Sequence, residues 1–384
     1  MLKSGMLFLI PFVVAGAAIF FAREAAHRQE SMTRAGTVAH GRSAVDPGAA
    51  GIAKKIAAMS LEEKIGQMLM VAIPDAVLSP QTADWLRSHY IGGVILLGPN
   101  VKGRTQVAQL IRDLQDNARA STDPLLFIAA DQEGGAVSRF LFLDVLIAQR
   151  EIGNKEQAFE TGRRRGIELK ALGISINFSP VMDVASSSAD FIFSRAFHGD
   201  AARVAELGTA MIQGYQEAGM IAVAKHFPGH GGTAIDSHKD LPTVSHNVST
   251  MAAALLPFRA AVAAGVPIVM AGHIRISQID PAYPASLSPA AIHILRSDMG
   301  FNGVIITDDL GMGAITRSYS LSDAAVQSVR AGADSVLVVR TIADYNKIYA
   351  ALLDAVRRGD ISEPQINQSV NRIRSLKEKY LKNK

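Results

Sequence analysis

The chain of 384 residues contains no cysteine. Disulfides, thiolate catalysis and cysteine-ligated zinc are therefore excluded, and either side of a membrane stays open as a location. Strong charge is also missing. Only 19% of residues are charged, the formal net charge is +4, and the basic residues are scattered along the chain. No nucleic-acid partner is indicated, whereas an anionic substrate or a membrane surface is compatible. What remains is 48% hydrophobic, the composition of a globular protein with a sizeable core.

One long apolar run stands apart at the N-terminus. Residues 4–22 are uncharged and almost wholly apolar, preceded by Lys3 and followed by Arg23 and Arg28. The run is marginal for a membrane span and long for a signal core. Ala15-Gly16-Ala17 resembles a cleavage site, yet apolar residues continue to Phe21. Residues 1–23 are expected to be a signal peptide or an uncleaved anchor, the anchor slightly favoured; a buried helix is the plainer alternative. Residues 24–47 lack periodicity and read as a linker, leaving 48–384 as the folded domain. An extracytoplasmic location follows, periplasmic or membrane-anchored, with the cytoplasm as the weaker alternative.

Beyond the linker, short apolar runs alternate with amphipathic segments. The runs at 66–73, 92–98, 124–131, 174–181, 220–226, 266–273, 303–309 and 334–340 have the continuous hydrophobicity of strands buried on both faces. Helical periodicity fills the gaps at 105–118, 155–171, 201–218, 251–264, 322–331, 342–358 and 363–381. Ser60 and Glu63 form a capping-box signature, and Gly219, Gly265 and Gly332 stand where helices should end. Eight such alternations predict an α/β fold, a (β/α)8 TIM-type barrel. A doubly wound open sheet is the alternative. It calls for a glycine-rich phosphate loop after the first strand, where the sequence instead reads Ile73-Pro74-Asp75.

Chemistry-bearing residues gather at the C-terminal ends of the predicted strands, which meet at one mouth in a barrel. Asp308 and Asp309 end the run Val304-Ile305-Ile306-Thr307. One is expected to be a nucleophile or charge stabiliser, with Asp308 favoured; a helix-capping role is open to the other. Asp236-Ser237-His238 closes a glycine-rich loop that starts at Lys225-His226. A carboxylate beside an imidazole fixes its tautomer and raises its basicity, making a proton donor near neutral pH. Zinc at His226 and His230 is disfavoured, because Pro228-Gly229 prevents the helix that would align them. A Schiff-base role for Lys225 would leave both acidic motifs unexplained. Asp131, Arg139 and Arg195 suit hydrogen bonding to sugar hydroxyls, and Met312 serves equally as pocket lining or core. No metal and no cofactor are expected.

With these residues assembled, the chain resembles the glycoside hydrolase family 3 β-N-acetylhexosaminidases of the single-barrel kind. DQEGG (131–135), NFSPVMDV (177–184), SRAFHGD (194–200), KHFPGHG (225–231), DSH (236–238), AGH (271–273) and TDDLGM (307–312) carry the likeness over about residues 52–350. The resemblance implies Asp308 as nucleophile, His238 as acid/base and Asp236 as its polarising partner. It implies that Asp131, Arg139, Arg195, Lys225 and His226 hold the sugar, a terminal N-acetylglucosamine. Three departures stand out: Ala136 where arginine is usual, residues 140–151 without the expected proline turn, and Gly232 where an acid is common. The expected activity is retaining exo-β-N-acetylglucosaminidase on cell-wall-type or chitin-type glycans. The alternatives are a phosphorylase or β-glucosidase at the same site, or a membrane-anchored sugar-binding protein without catalysis.

Overall fold

The computed structural model describes residues 47–119 and 125–381. The predicted signal or anchor at 1–23 and the linker up to residue 46 lie outside the described residues. Among those described, no helix is long and apolar enough to cross a membrane. The chain divides at Ala50, and every strand among the described residues lies in Gly51–Lys384.

In chain order the strands are β1 (Leu69–Ala72), β2 (Gly93–Leu96), β3 (Phe127–Ala130), β4 (Ile176–Asn177), β5 (Ile221–Phe227), β6 (Thr243–Val244), β7 (Ile268–Ala271), β8 (Arg275–Ile276), β9 (Val304–Thr307) and β10 (Val336–Val338). Eight of them form one parallel sheet in the order β10-β1-β2-β3-β4-β5-β7-β9. A bridge between Ile306 and Ser335 joins β9 to β10 and closes the barrel. Nearly every residue of these eight strands is buried, which is why each reads as an unbroken apolar run rather than an alternating one. Short β6 and β8 pair with each other in loops beyond the C-terminal ends of β5 and β7.

Each of the eight predicted runs coincides with a barrel strand, β5 extending one residue beyond its run to Phe227. The run at 174–181 shrinks to Ile176–Asn177 plus an isolated bridge from Val181 to Lys225. Pro180 has no N–H to donate, so the ladder cannot continue through it. Helices Arg104–Arg119, Lys155–Leu172, Ala201–Glu217, Val248–Ala263, Leu321–Ala331, Ile342–Arg357 and Glu363–Tyr380 stand where periodicity placed them. The Ser60 capping box is formed in both directions. Helix Pro80–Ser88 was not foreseen. Ser79 caps it and proline opens it, but nine residues are too few for a clear apolar stripe.

Candidate active site

The floor of the site is a buried ion network at the ends of β3 and β5. Lys225, the fifth residue of β5, places Nζ 2.8 Å from Asp131 Oδ1 and 2.6 Å from Glu133 Oε1. Glu133 also receives a bidentate pair from Arg195, Nε to Oε2 at 2.9 Å and Nη2 to Oε1 at 2.7 Å. Burial alone would raise the Glu133 carboxyl, but Arg195 and Lys225 hold it well below the usual range. Lys225 is buried too, which opposes its charge; Asp131 and Glu133 more than compensate and raise its pKa. An amine held as ammonium is no Schiff-base nucleophile. Arg139 completes the floor, 3.5 Å from Asp131 Oδ2.

His226 follows Lys225 and donates from Nδ1 to Asp183 Oδ2 at 2.7 Å. Its Nε2 lies 3.3 Å from Arg195 Nη2. A guanidinium only donates, so Nε2 accepts and the proton sits on Nδ1. Asp183 also accepts the backbone N–H groups of His226 and His230, the latter at 2.7 Å. These bonds and His226 overcome burial and keep its carboxyl anionic. His230 turns Nε2 toward Ser237 Oγ at 3.1 Å, and burial pushes its pKa down.

Asp308 directly follows β9, and its neighbour makes different contacts. Burial would raise the Asp308 carboxyl; His226, His273, the Asp309 amide and Lys225 together hold it at about 2. Burial pushes the pKa of His273 down. His273 donates from Nε2 to the Asp309 carbonyl at 2.8 Å and accepts from Ser286 Oγ at 2.7 Å. The Asp309 carboxylate accepts the amides of Gly311 and Val339, both at 2.8 Å, and ties the β9 and β10 ends together. Burial and the charge of Asp308 leave its pKa at about 6. Of the two acids, Asp309 thus takes a backbone-capping part.

Asp236 and His238 arrive on the loop after β5. Asp236 Oδ1 accepts from His238 Nδ1 at 2.8 Å and from its amide at 3.0 Å, which leaves Nε2 as the free ring nitrogen. These bonds outweigh burial and lower the Asp236 pKa. The loop rests on two glycines. At Gly313 a Cβ would stand 2.5 Å from the Lys239 carbonyl and 2.7 Å from that of His238. At Gly231 it would run into the Val184 carbonyl. The amides of Gly313 and Ala314 donate to the His238 and Ser237 carbonyls at 3.0 and 3.1 Å.

Asp131, Arg139, Arg195, Lys225, His226, His238, Asp308 and Met312 line one pocket of about 230 Å³ at the C-terminal end of the barrel, with Asp236 behind His238. Sequence reasoning did not name Glu133, Asp183, Ser237 or His273 among the site residues. Each lies inside or beside a quoted motif, so position gave a signal, but burial and pairing did not show. The β3 loop that lacks a proline turn is held from beneath instead. Buried Arg165 donates to the carbonyls of Glu133, Val145 and Ile147 at 2.7, 3.2 and 2.8 Å.

Fold and site together define a (β/α)8 barrel with an anionic carboxylate and an acid-oriented histidine at one pocket. The chain belongs to glycoside hydrolase family 3: residues 60–376 match the profile described as glycosyl hydrolase family 3 N terminal domain. It is similar to a beta-hexosaminidase of Xylella fastidiosa (strain 9a5c), 34% identical over 76% of this chain and 92% of that protein. Beta-hexosaminidase A of Pseudoalteromonas piscicida is 32% identical over 79% of this chain, which spans 56% of that longer protein. Among solved structures, a glycoside hydrolase family 3 beta-N-acetylglucosaminidase from Paenibacillus sp. str. FPU-7 superposes with a TM-score of 0.82 at 38% identity, covering 84% of this chain and 63% of that one.

Proposed function

We propose that this chain is a retaining exo-β-N-acetylglucosaminidase that removes terminal, non-reducing β-linked N-acetylglucosamine. The observation that carries the reading is one pocket shared by a carboxylate held anionic at about 2 and a histidine fixed by its own aspartate. The hexosaminidase names of the relatives supply the sugar.

In the first step Asp308 attacks the anomeric carbon while His238 protonates the departing oxygen from Nε2. The glycosidic bond breaks as the glycosyl–carboxylate bond forms. In the second step His238 takes a proton from water, which attacks the anomeric carbon and frees Asp308. The low pKa of Asp308 keeps it charged when the oxocarbenium-like transition state needs it. Asp236 keeps the Nδ1 proton in place, so Nε2 does the exchange in both steps. Asp131, Arg139, Arg195, Lys225 and His226 hold the sugar's polar groups.

The test is release of 4-nitrophenol from its N-acetyl-β-glucosaminide and from its β-glucoside, with and without phosphate. Release from the N-acetyl sugar alone is expected. Acceleration by phosphate would redirect the reading to a phosphorylase. Asp308→Asn should lower kcat by about a thousandfold or more with the fold unchanged; near-normal turnover would remove Asp308 as nucleophile. The same reading takes residues 1–23 as a signal or anchor that puts the barrel outside the cytoplasm, to be checked by cell fractionation of the full chain.

A further inference from the structure

We propose that Phe191 is a positioning residue for His238, a rigid wall from the β4 side that keeps the acid/base ring aimed at the leaving group. This rests on the reading of His238 given above.

His238 sits on a loop with its side chain 60% exposed. Asp236 fixes its Nδ1, but Asp236 belongs to the same loop and moves with it. A hydrogen bond at one ring atom sets the direction of that atom and leaves the ring able to swing about it. A contact from outside the loop is needed to fix the plane. Phe191 makes one: its ring meets that of His238 edge to face, with centroids 6.0 Å apart and planes at 63°. The same phenyl ring touches His230, 5.4 Å away, and His230 in turn bonds Ser237 of the same loop. Phe191 therefore reaches the dyad directly on one side and through His230 and Ser237 on the other.

The wall is firmer than the part it supports. The Phe191 amide donates to the Thr233 carbonyl at 2.9 Å, joining the β4 and β5 loops. Asp190 locks the preceding turn by accepting the amides of Ser186 and Ser187 at 2.8 and 3.2 Å. Ile192 is buried with Val181 and Ala196 in a small core of its own. The ring is thus anchored on both sides of its own backbone. Arg195, which holds Glu133 on the sugar side, leaves the same turn four residues later. One irregular segment sets both the sugar floor and the acid/base wall, and a change at Phe191 alone separates the two.

The test is Phe191→Ala, with Phe191→Tyr as the variant that keeps an aromatic edge. On N,N′-diacetylchitobiose, whose leaving group needs its proton, Phe191→Ala should lower kcat about three- to tenfold, the factor that an edge-to-face ring contact carries. On the 2,4-dinitrophenyl N-acetylglucosaminide it should stay within about twofold, with KM for both substrates unchanged. Phe191→Tyr should restore the chitobiose rate. Equal loss on both substrates, or none on either, would overturn the proposal. A second readout needs no turnover: the His238 ring resonance, identified by its disappearance in His238→Ala, should move toward the free-imidazole position in Phe191→Ala. An unmoved resonance overturns the proposal. Wild type that shows the shifted resonance but cleaves neither substrate overturns the glycosidase reading and leaves the wall standing.

Discussion

Asp308 and Asp309 are neighbours in sequence and opposite in charge behaviour. Asp309 is raised from 3.8 to about 6 because burial and the Asp308 charge outweigh its two amide bonds. Between those values the folded chain holds the Asp309 proton more tightly than the unfolded one. Stability from this group is therefore fullest below pH 4 and falls as pH climbs through 6. Asp308, lowered to about 2, acts in the other direction and in a lower window: it adds stability above pH 4 and loses it as pH falls toward 2. Asp309→Asn, whose amide oxygen can still accept from Gly311 and Val339, should flatten the decline between pH 4 and 6 by on the order of 2 kcal/mol. Melting temperatures at half-unit pH steps check this; a variant curve parallel to wild type would mean that Asp309 does not titrate there. His238 has a kinetic signature instead. His238→Ala should slow substrates with poor leaving groups about a hundredfold to ten-thousandfold and activated aryl glycosides far less. Equal losses on both would show that His238 is not the acid.

At the scale of elements, strands and long helices were legible because their burial is uniform along the sequence. Val304-Ile305-Ile306-Thr307 reads as an inner strand since both faces are covered. The short pieces were less legible. β4 is cut by Pro180, and helix Pro80–Ser88 depends on a cap and a proline more than on periodicity. The β3 loop drew attention for its missing proline, yet what holds it is Arg165, a residue far along the next helix that looks like an ordinary surface charge in the sequence. The His238 loop was visible as glycine-rich, but the reason for each glycine was not. Gly313 lies outside that loop and exists for it. Gly313→Ala would push a methyl into the Lys239 and His238 carbonyls, and backbone on both sides leaves little room to yield. We expect the barrel to stay folded and kcat to fall about tenfold to a hundredfold through displacement of His238. Circular dichroism and chitobiose turnover measured together check this, and full activity would mean that the loop reaches the substrate without docking on Gly313.

At the scale of the whole molecule, the two ends of the barrel use buried charge differently. At the C-terminal end Lys225 is paired with Asp131 and Glu133, and Arg195 with Glu133. At the N-terminal end Lys377, on the last helix, is fully buried with Nζ 2.8 Å from the Gln67 amide oxygen and 5.1 Å from the centre of the Phe127 ring. Those are a neutral acceptor and an aromatic ring, neither of them a carboxylate. Burial, helped by Arg374, lowers its pKa from 10.5 to about 7. The unfolded chain then holds more protons than the folded one between pH 7 and 10.5, so stability from this group rises with pH across that window and is absent below it. Lys377→Met removes the titration and also a donor to Gln67, a loss of about 1 kcal/mol when the amine is neutral. The melting curves of wild type and variant should therefore converge: the variant well above wild type at pH 6, and the gap narrower by on the order of 2 kcal/mol at pH 9. Turnover at pH 7 should be unchanged, since this end of a barrel serves stability rather than catalysis. Curves that stay parallel from pH 6 to 9 would show that Lys377 keeps its proton in the folded barrel, and that Gln67 and Phe127 suffice to hold an ammonium there.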